Sequence, residues 1–307
     1  MKLIIQPDDG VAPLVRSVRN AQKSIDIVIF RFDRSELERA LEAAVARGVA
    51  VRALIAHTNR GGEKTLRKLE MHLLGMGITV ARTADDLPRY HAKMMIVDDA
   101  LHVLGFNYTK LDIDKSRSFG IITRDARLVK DAASLFEADM TRQTYTPVHD
   151  RFVVSPETSR ARLSSFIQGA RKQLCIYDEK VTDNLVQRLL DDRARAGVEI
   201  RVLGKVEKTI AGIEARTLRD MRLHVRAIVR DGTSAFVGSQ SLRKIELDGR
   251  REVGVLISDS RIARQIQAIF EADWEHAGEA EAAMPVVKKP TARKAAKRKA
   301  QKTAKAS

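Results

Sequence analysis

The short pattern His-x-Lys/Arg-x4-Asp occurs twice in the chain, and it constrains the fold more than any other feature. The residues of the two copies are, in order, His91, Lys93 and Asp98, and His224, Arg226 and Asp231. One imidazole can attack phosphorus, a second can protonate a leaving oxygen, and the cations can hold non-bridging oxygens. The pair of motifs therefore indicates chemistry on a phosphodiester.

The sequence around the motifs is also repeated. The matched blocks are, in pairs, 21–28 with 170–177, 47–54 with 196–203, and 136–139 with 270–273. They occur in the same order as the motifs, which lie 133 residues apart. We therefore predict an internal duplication, with a first repeat at 1–148 and a second at 149–278.

The hydrophobic pattern predicts alternating helices and strands in each repeat. The predicted helices are 11–21, 157–170, an amphipathic helix with Leu37, Leu41 and Val45, and closing helices that end near Met140 and Trp274. Gly48 and Gly197 are typical of helix C-termini. The predicted strands are 49–55, 198–203, 93–97, 226–229, 101–104 and 234–237. This alternation indicates an α/β layered fold.

Each histidine precedes a β-prone run, and its cation follows two residues later. Because side chains alternate along a strand, the histidine and the cation should lie on one face. The aspartates Asp98 and Asp231 complete the motifs and are counted among the catalytic candidates, although they are expected to anchor a turn or pair with a cation rather than to carry out the chemistry. Duplication should bring the two histidines together at a pseudo-two-fold interface, with the active site between the halves.

The net charge of +15 is unevenly distributed. Residues 288–307 carry nine Lys or Arg and no acid, and subtracting these charges leaves +6 for the rest of the chain. A segment so poor in apolar residues cannot bury enough surface to fold, so we predict a disordered Lys/Arg-rich tail at 279–307. Residues Lys288 to Lys305 are expected to bind an anionic membrane surface or nucleic acid, or only to increase solubility.

Several features favour a cytoplasmic protein. A single cysteine, Cys175, excludes an internal disulfide and is expected to be an inert thiol in a buried strand. The polar N-terminus predicts no signal peptide, and the longest apolar runs are shorter than a membrane span. Peripheral association with the inner face of the membrane is compatible with these features. We predict no cofactor and no metal, because the other histidines lack ligand-like spacing.

With these motifs the chain resembles the phospholipase D superfamily, whose pattern is H-x-K-x4-D, a downstream G-S-x-N and a later acid. The resemblance covers roughly residues 10–275 and is greatest with bacterial phospholipase D/cardiolipin synthase-like proteins. It implies a duplicated fold of two mixed sheets and a metal-independent, two-step mechanism through a phosphohistidine. It also implies that His91 is the nucleophile, that His224 is the acid, and that a monomer suffices for catalysis.

Each repeat departs from the pattern at different positions. The first keeps Asn107 but has Gly105 in place of the serine. The second keeps Ser239 but has Ser241 in place of the asparagine, and Arg226 replaces the motif lysine. Arginine keeps the charge and can contact two phosphoryl oxygens, so phosphate binding is still expected.

The later acid is present only in the second repeat. Glu252 has Ser118 as its counterpart in the first repeat. Glu252 is expected to fix the tautomer of one histidine. For the other histidine, the nearby acids Asp112 and Asp114 are the alternatives.

Three functions remain open. The first is hydrolysis of a phospholipid phosphodiester, or transfer of its phosphatidyl group to an alcohol. The second is a nuclease of the same superfamily that acts on DNA, with the basic tail supplying sequence-independent affinity. The third is a catalytically impaired relative that binds polyanions.

Overall fold

Two eight-stranded sheets, one built mainly from each half of the chain, form the framework of the protein. The computed structural model describes residues 1–279, so the predicted basic tail lies outside the described residues from position 280 onward. Within residues 1–279, no helix is both long enough and apolar enough to cross a membrane.

The helices and strands are numbered in chain order. The first half contains β1 (Lys2–Gln6), α1 (Ala12–Asn20), β2 (Ser24–Ile29), α2 (Ser35–Ala46), β3 (Ala50–Ile55), α3 (Gly62–Gly75), β4 (Thr79–Arg82), β5 (Met94–Val97), β6 (Ala100–Leu104), α4 (Lys110–Asp114), β7 (Ser116–Thr123) and α5 (Ala126–Thr141). The second contains β8 (Phe152–Ser155), α6 (Ser159–Gln168), β9 (Gln173–Val181), α7 (Asn184–Arg195), β10 (Glu199–Val206), β11 (Ile213–Thr217), β12 (Arg222–Leu223), β13 (Ala227–Arg230), β14 (Ser234–Gly238), α8 (Lys244–Asp248), β15 (Glu252–Ile257), α9 (Ser260–Glu275) and β16 (Gly278–Glu279).

Both sheets are mixed and have related strand orders. The first runs β1-β7-β6-β5-β2-β3-β4, with β12 of the second half added beside β7, and the second runs β16-β11-β10-β9-β13-β14-β15-β8. Strands β2 and β3 are parallel because α2 crosses between them, whereas β5, β6 and β7 form antiparallel pairs. The prediction of a duplicated α/β fold with two mixed sheets is confirmed.

Helices cover the outer faces of the sheets, and α5 and α9 lie between them. In α2, Leu37 and Leu41 are fully buried against the outer face of the first sheet. The helix leads into Gly48, whose φ of +86° requires a glycine. Between the sheets, Phe119, Tyr177, Phe270 and Trp274 form an aromatic chain with successive ring-centroid distances of 5.5, 5.1 and 5.6 Å.

Two reciprocal ion pairs join the halves across the pseudo-two-fold axis. Arg117 donates to Asp273 at 2.8 and 3.1 Å, and the equivalent Arg251 lies 3.0 Å from Asp139. All four side chains are buried, so each arginine needs the acid of the other half. These pairs fix the strands that enter the site from opposite sides.

The predicted elements agree with the structure to within about three residues at their ends. Sequence analysis did not predict β1 and β8, the equivalent edge strands, or α3, which carries buried Leu66 and Leu73. Cys175 lies in β9 and is buried as predicted, and burial raises the pKa of its thiol to about 12.

Candidate active site

His91 and Lys93 lie in the extended segment that leads into β5. The amide of His91 donates to the carbonyl of Arg251 at 2.7 Å, and Tyr90 forms a β-bridge with the same residue. The amide of His224 makes the matching bond, at 3.2 Å, to the carbonyl of Arg117. Each histidine is therefore positioned by a strand of the opposite half.

The His91 ring is held between a carboxylate and an aromatic ring. Its Nδ1 lies 2.9 and 3.0 Å from the two carboxylate oxygens of Glu252, which is fully buried. Phe30 packs edge-on against the imidazole, with the centroids 4.5 Å apart. Because the Glu252 carboxylate accepts a hydrogen bond from Nδ1–H, the neutral ring has its lone pair on Nε2. Glu252 thus fixes the tautomer of His91.

Lys93 is completely buried beneath this imidazole. Its Nζ lies 2.7 Å from Nε2 of His91 and donates to the carbonyl oxygen of His91 at 2.7 Å. Burial, together with the positive charge of Arg226, lowers the pKa of Lys93 to about 7, although the negative charge of Glu252 opposes the shift. The ammonium can therefore lose its proton near neutral pH.

His224 faces Asp112, one of the two acids proposed from the sequence, although its Nδ1 forms no hydrogen bond within residues 1–279. Its Nδ1 lies 3.5 Å from Oδ2 of Asp112, whereas Asp114 pairs with Arg34. Asp112 is held in place by the backbone amide and side-chain amide of Asn107, at 2.9 and 2.6 Å. The acid that faces each histidine therefore belongs to the other half.

The second motif cation, Arg226, is buried and faces Glu179. Its Nη2 lies 3.4 Å from a carboxylate oxygen of Glu179. Its Nε and Nη1 have no hydrogen-bond partner among residues 1–279. Two buried, unpaired guanidinium nitrogens can hold the oxygens of a phosphoryl group.

Both histidines are neutral in the free site. Burial, with the positive charges of Lys93 and Arg226, holds the pKa of His91 well below its usual value. Burial and Arg226 act in the same way on His224, and Asp112 only partly offsets them. Burial opposes ionisation of Asp112, but the hydrogen bonds from Asn107 and the positive charge of Arg222 hold its pKa below the usual value. The site thus supplies two neutral imidazoles and an ionised carboxylate.

The motif aspartates Asp98 and Asp231, counted among the catalytic candidates, do not reach the histidines. Asp98 lies at the far end of β5 from His91 and accepts hydrogen bonds from the amides of residues 22–24 at 2.8–3.0 Å. Asp231 accepts equivalent bonds from residues 171–173 at 2.8–3.2 Å. Both anchor turns, as the sequence analysis expected of this position.

The departures from the serine and asparagine pattern have local causes. A Cβ at Gly105 would lie 3.0 Å from the carbonyl oxygen of Phe119 and 3.1 Å from Ser118 Oγ, so a serine there would require its neighbours to shift. The Ser118 hydroxyl instead donates to the carbonyl of His224 at 3.0 Å. Ser239 lies under Glu252 and accepts from the amide of Val253 at 3.1 Å.

The remaining substitution removes an amide from the site. The hydroxyl of Ser241 donates to buried Asp178, away from the histidines. Asn107, its counterpart, lines the cleft and has no partner for Oδ1 among the described residues. The site therefore has the side-chain amide of Asn107 from the first half and no equivalent amide from the second half.

The histidines open onto one cleft of about 200 Å³. Its lining residues are Phe30, Arg31, Arg60, Arg89, His91, Asn107, Glu179, Arg222, His224, Arg226, Arg243, Glu246 and Arg250. Sequence analysis missed Glu179 and the arginines other than Arg226. One signal was present, since Arg89 and Arg222 each stand two residues before a motif histidine. In residues 1–279 no cluster of acidic, histidine or cysteine side chains is arranged to hold a metal ion.

Comparisons with known proteins identify a matching family. The family described as "Cardiolipin synthase, PLD-like domain" matches residues 14–140 and 163–274. No curated protein sequence matches the chain.

Two solved structures share this fold over nearly the whole chain. Polyphosphate kinase from Porphyromonas gingivalis is similar with a TM-score of 0.75 and 19% identity, over 100% of this chain and 56% of that chain. This chain therefore spans little more than half of that kinase. Phosphatidylserine synthase from Haemophilus influenzae Rd KW20 is similar with a TM-score of 0.69 and 12% identity, over 99% of this chain and 93% of that chain. Nuc from Salmonella typhimurium, a phospholipase D family member, has a TM-score of 0.42 and 21% identity, over 48% of this chain and 97% of that chain.

Proposed function

Because the chain belongs to the cardiolipin synthase, PLD-like domain family of the phospholipase D superfamily, we propose that it cleaves or transfers phosphodiesters through a phosphohistidine. One observation carries the proposal. Two neutral imidazoles line a single cleft, and each has its Nδ1 facing a carboxylate of the opposite half. This arrangement supplies a nucleophile and a proton donor on opposite sides of one phosphorus atom.

In the first step, Nε2 of His91 attacks phosphorus and the bond from phosphorus to the leaving oxygen breaks. His224 is neutral in the free site, so it takes up a proton from solvent and becomes the imidazolium when the anionic phosphodiester binds beside it. It then gives this proton to the leaving oxygen as the phosphorus–oxygen bond breaks. Asp112, which lies 3.5 Å from its Nδ1, stabilises this cation. Lys93 and the unpaired nitrogens of Arg226 hold the non-bridging oxygens, where negative charge increases in the transition state.

In the second step, water or an alcohol attacks the phosphorus of the phosphohistidine. His224, now neutral, takes the proton of the attacking oxygen, and the phosphorus–nitrogen bond breaks. His91 returns to its neutral form, with Nδ1 still bonded to Glu252. Water gives hydrolysis, and an alcohol gives transfer.

Two substrate classes remain candidates. A phospholipid is favoured by the family description and by two exposed apolar side chains, Leu111 and Ile245. These residues lie on α4 and α8, the short helices that also carry Asp112 and Glu246. Nucleic acid is favoured by the cleft lining, which contains seven arginines and two glutamates. The basic tail would add affinity for either polyanion.

The mechanism is tested with bis(p-nitrophenyl) phosphate, whose leaving group needs no protonation. His224→Ala should release about one p-nitrophenolate per molecule and then stop, because His91 is modified and cannot be hydrolysed. His91→Ala should show no burst. Mass spectrometry at alkaline pH should find the phosphoryl adduct on His91, since phosphohistidine is labile in acid.

Each alternative outcome has a clear meaning. A burst in His91→Ala, with none in His224→Ala, would reverse the two roles. Full turnover in His91→Ala would contradict the phosphohistidine proposal. Absence of turnover by the wild-type protein toward this diester, phosphatidylglycerol vesicles and DNA would leave the impaired, polyanion-binding relative. Added ethanol separates transfer from hydrolysis, because phosphatidylethanol forms only by transfer.

A further inference from the structure

Arg89 lies beside the proposed nucleophile in the same extended segment. Side chains two positions apart on an extended chain point to one side, and Arg89 and His91 both line the cleft. The Arg89 guanidinium lies over the ring of Phe30, 5.6 Å from its centroid, and the His91 ring packs against that same phenyl ring. Phe30 therefore holds the guanidinium and the imidazole next to each other on one wall.

The charge of Arg89 is not balanced by a carboxylate. Within residues 1–279, Arg89 and Arg60 form no ion pair, although both line a cleft that contains two glutamates. Burial lowers the pKa of Arg89, and the positive charges of Arg250 and Arg60 lower it further, while Glu252 and Glu246 oppose the shift. Because neither Arg89 nor Arg60 is paired with an acid in the described chain, they leave a local excess of positive charge that an anion would relieve.

The equivalent arginine of the second half is neutralised. Arg222, two residues before His224, donates to Asp112 at 2.6 Å and to Ser116 at 3.1 Å. Glu246 occupies in α8 the place that Asp112 holds in α4, but it pairs with Arg243 and Arg250 at 2.9 and 3.0 Å. The two halves therefore carry arginines at equivalent positions. Arg222, on the His224 side, is paired with an acid, whereas Arg89, on the His91 side, is unpaired within the described chain.

A second unpaired arginine is held near Arg89 by the backbone. The side-chain amide of Asn59 donates to the carbonyl of Phe30 at 2.9 Å, and its oxygen accepts from the amide of Gly61 at 2.7 Å. These bonds tie the loop that carries Arg60 to the backbone of Phe30, the residue that follows β2. Arg60 is exposed, so it can bind a ligand without first breaking a contact.

We propose that Arg89 and Arg60 form a subsite for a second, non-reacting phosphate of the substrate, on the His91 side of the cleft. This inference rests on the proposed function, which places the reacting phosphate between His91 and His224. An unpaired guanidinium binds phosphate oxygens through two parallel hydrogen bonds. None of the cleft-lining residues in the described chain is aliphatic, so the neighbouring phosphate of a nucleic-acid strand is the source we favour over a lipid.

The subsite is tested with two substrates that differ by one phosphate. These are thymidine 5′-(4-nitrophenyl phosphate) and the same compound with a 3′-phosphate, compared at low salt by kcat/KM. The wild-type protein should prefer the second by about tenfold, a typical effect of one charge-assisted contact. Arg89→Ala should reduce the ratio of the two kcat/KM values to about one. Arg60→Ala should reduce it by about half as much on a logarithmic scale.

Matched controls separate recognition from general damage. Arg19→Ala, at an exposed position in the last turn of α1, should keep the wild-type ratio and activity. Arg89→Lys should retain part of the preference, because it keeps the charge but loses the paired donors. Thermal unfolding of each variant shows whether the fold is intact, and the ratio within one variant is independent of the folded fraction.

The outcomes distinguish the two proposals. Cleavage of both substrates with the same ratio in wild type and Arg89→Ala would overturn the subsite and leave the proposed function standing. No p-nitrophenolate from either substrate, with no turnover of lipid, would overturn the proposed function. A preference for cardiolipin over phosphatidylglycerol vesicles that Arg89→Ala removes, without any effect on the nucleotides, would overturn the nucleic-acid source.

Discussion

The two walls of the cleft come from equivalent parts of a duplicated chain, yet their charges are arranged differently. On the His224 side, Asp112 pairs with Arg222, and Glu179 faces Arg226. On the His91 side, Phe30 stands where the second repeat has Glu179, and Arg89 has no acidic partner among the described residues. Duplication preserved the backbone positions, and substitution then made one wall internally neutral and left the other positively charged.

The contacts between each histidine and its acid also differ between the two walls. Glu252 contacts Nδ1 of His91 with both oxygens at 2.9–3.0 Å, whereas the single contact of Asp112 with His224 is 3.5 Å long. Asp112 also serves Asn107 and Arg222, so its charge is shared. A nucleophile must keep one tautomer throughout the reaction, whereas an acid–base group must change its protonation state. The tighter pair is therefore expected on the nucleophile.

The largest predicted effect separates these two acids. Glu252→Gln removes the charge that fixes the His91 tautomer, and it should lower kcat roughly 10²- to 10³-fold. Asp112→Asn should lower it roughly 10- to 10²-fold, because proton transfer by His224 is weakened but not lost. The measurement is steady-state kcat with a p-nitrophenyl diester and with a dinucleoside phosphate.

The leaving group serves as the control for this comparison. The burst with the p-nitrophenyl diester should be slowed by Glu252→Gln and almost unaffected by Asp112→Asn, since that leaving group needs no acid. Equal loss of burst rate in both variants would contradict the assignment of different roles. A circular dichroism spectrum like that of the wild type excludes misfolding as the cause.

The next effect is a pH dependence that belongs to one wall only. Burial lowers the pKa of Lys93 to about 7, so its ammonium is present below pH 7 and lost as the pH rises through that value. If the charge holds phosphoryl oxygens, kcat/KM should fall about tenfold for each pH unit above 7. Lys93→Arg keeps its charge at every accessible pH, as Arg226 does in the other motif, and should remove this basic limb.

If kcat/KM of Lys93→Arg still falls above pH 7 as in the wild type, the titration of a group other than Lys93 causes the fall. The matched variant is Arg226→Lys, which introduces a lysine at the equivalent position of the second motif. It should add a second basic limb, because the new ammonium would be buried in the same cleft. The profiles should be recorded as kcat/KM, which reports the free enzyme.

The fold could be predicted from the sequence because its signals are local and repeated. The spacing of Leu37 and Leu41 and the glycine at 48 define α2, and the second copy confirms the pattern. The short edge strands β1 and β8 lack such a signal, because their few residues pair with distant strands. Helix α3 carries the helical spacing of Leu66 and Leu73, but residues 149–279 contain no matching helix to reinforce the pattern.

The sequence predicts only those parts of the site that the two repeats share. Symmetry brings His91 and His224 to one cleft, and both motif aspartates were expected to anchor turns. The choice of Asp112 over Asp114 depends on how α4 faces the other half, which no sequence spacing encodes. Arg89 is left without an acidic partner in the described chain because Glu246 pairs with Arg243 and Arg250 instead. The sequence does not show which of these arginines the carboxylate contacts.

The smallest predicted difference lies outside the cleft, where the halves should behave alike. Asp98 and Asp231 have φ of +49° and +53° and accept hydrogen bonds from three successive backbone amides each. Asparagine tolerates this backbone conformation, so Asp98→Asn and Asp231→Asn remove charge without adding strain. Each should lower the free energy of unfolding by about 1–2 kcal/mol in urea titrations at pH 7.

These hydrogen bonds lower the pKa of both aspartates although partial burial opposes the shift, so their stabilisation is present above the unfolded pKa. It should disappear as the pH falls through the folded pKa, and each asparagine variant should then approach the wild type in stability. A difference between the two variants of more than about 1 kcal/mol at pH 7 would mean that the turns have also diverged. Equal losses of stability would show that the two turns contribute alike. The differences between the halves would then lie in the walls of the cleft, whose residues would contact the substrate.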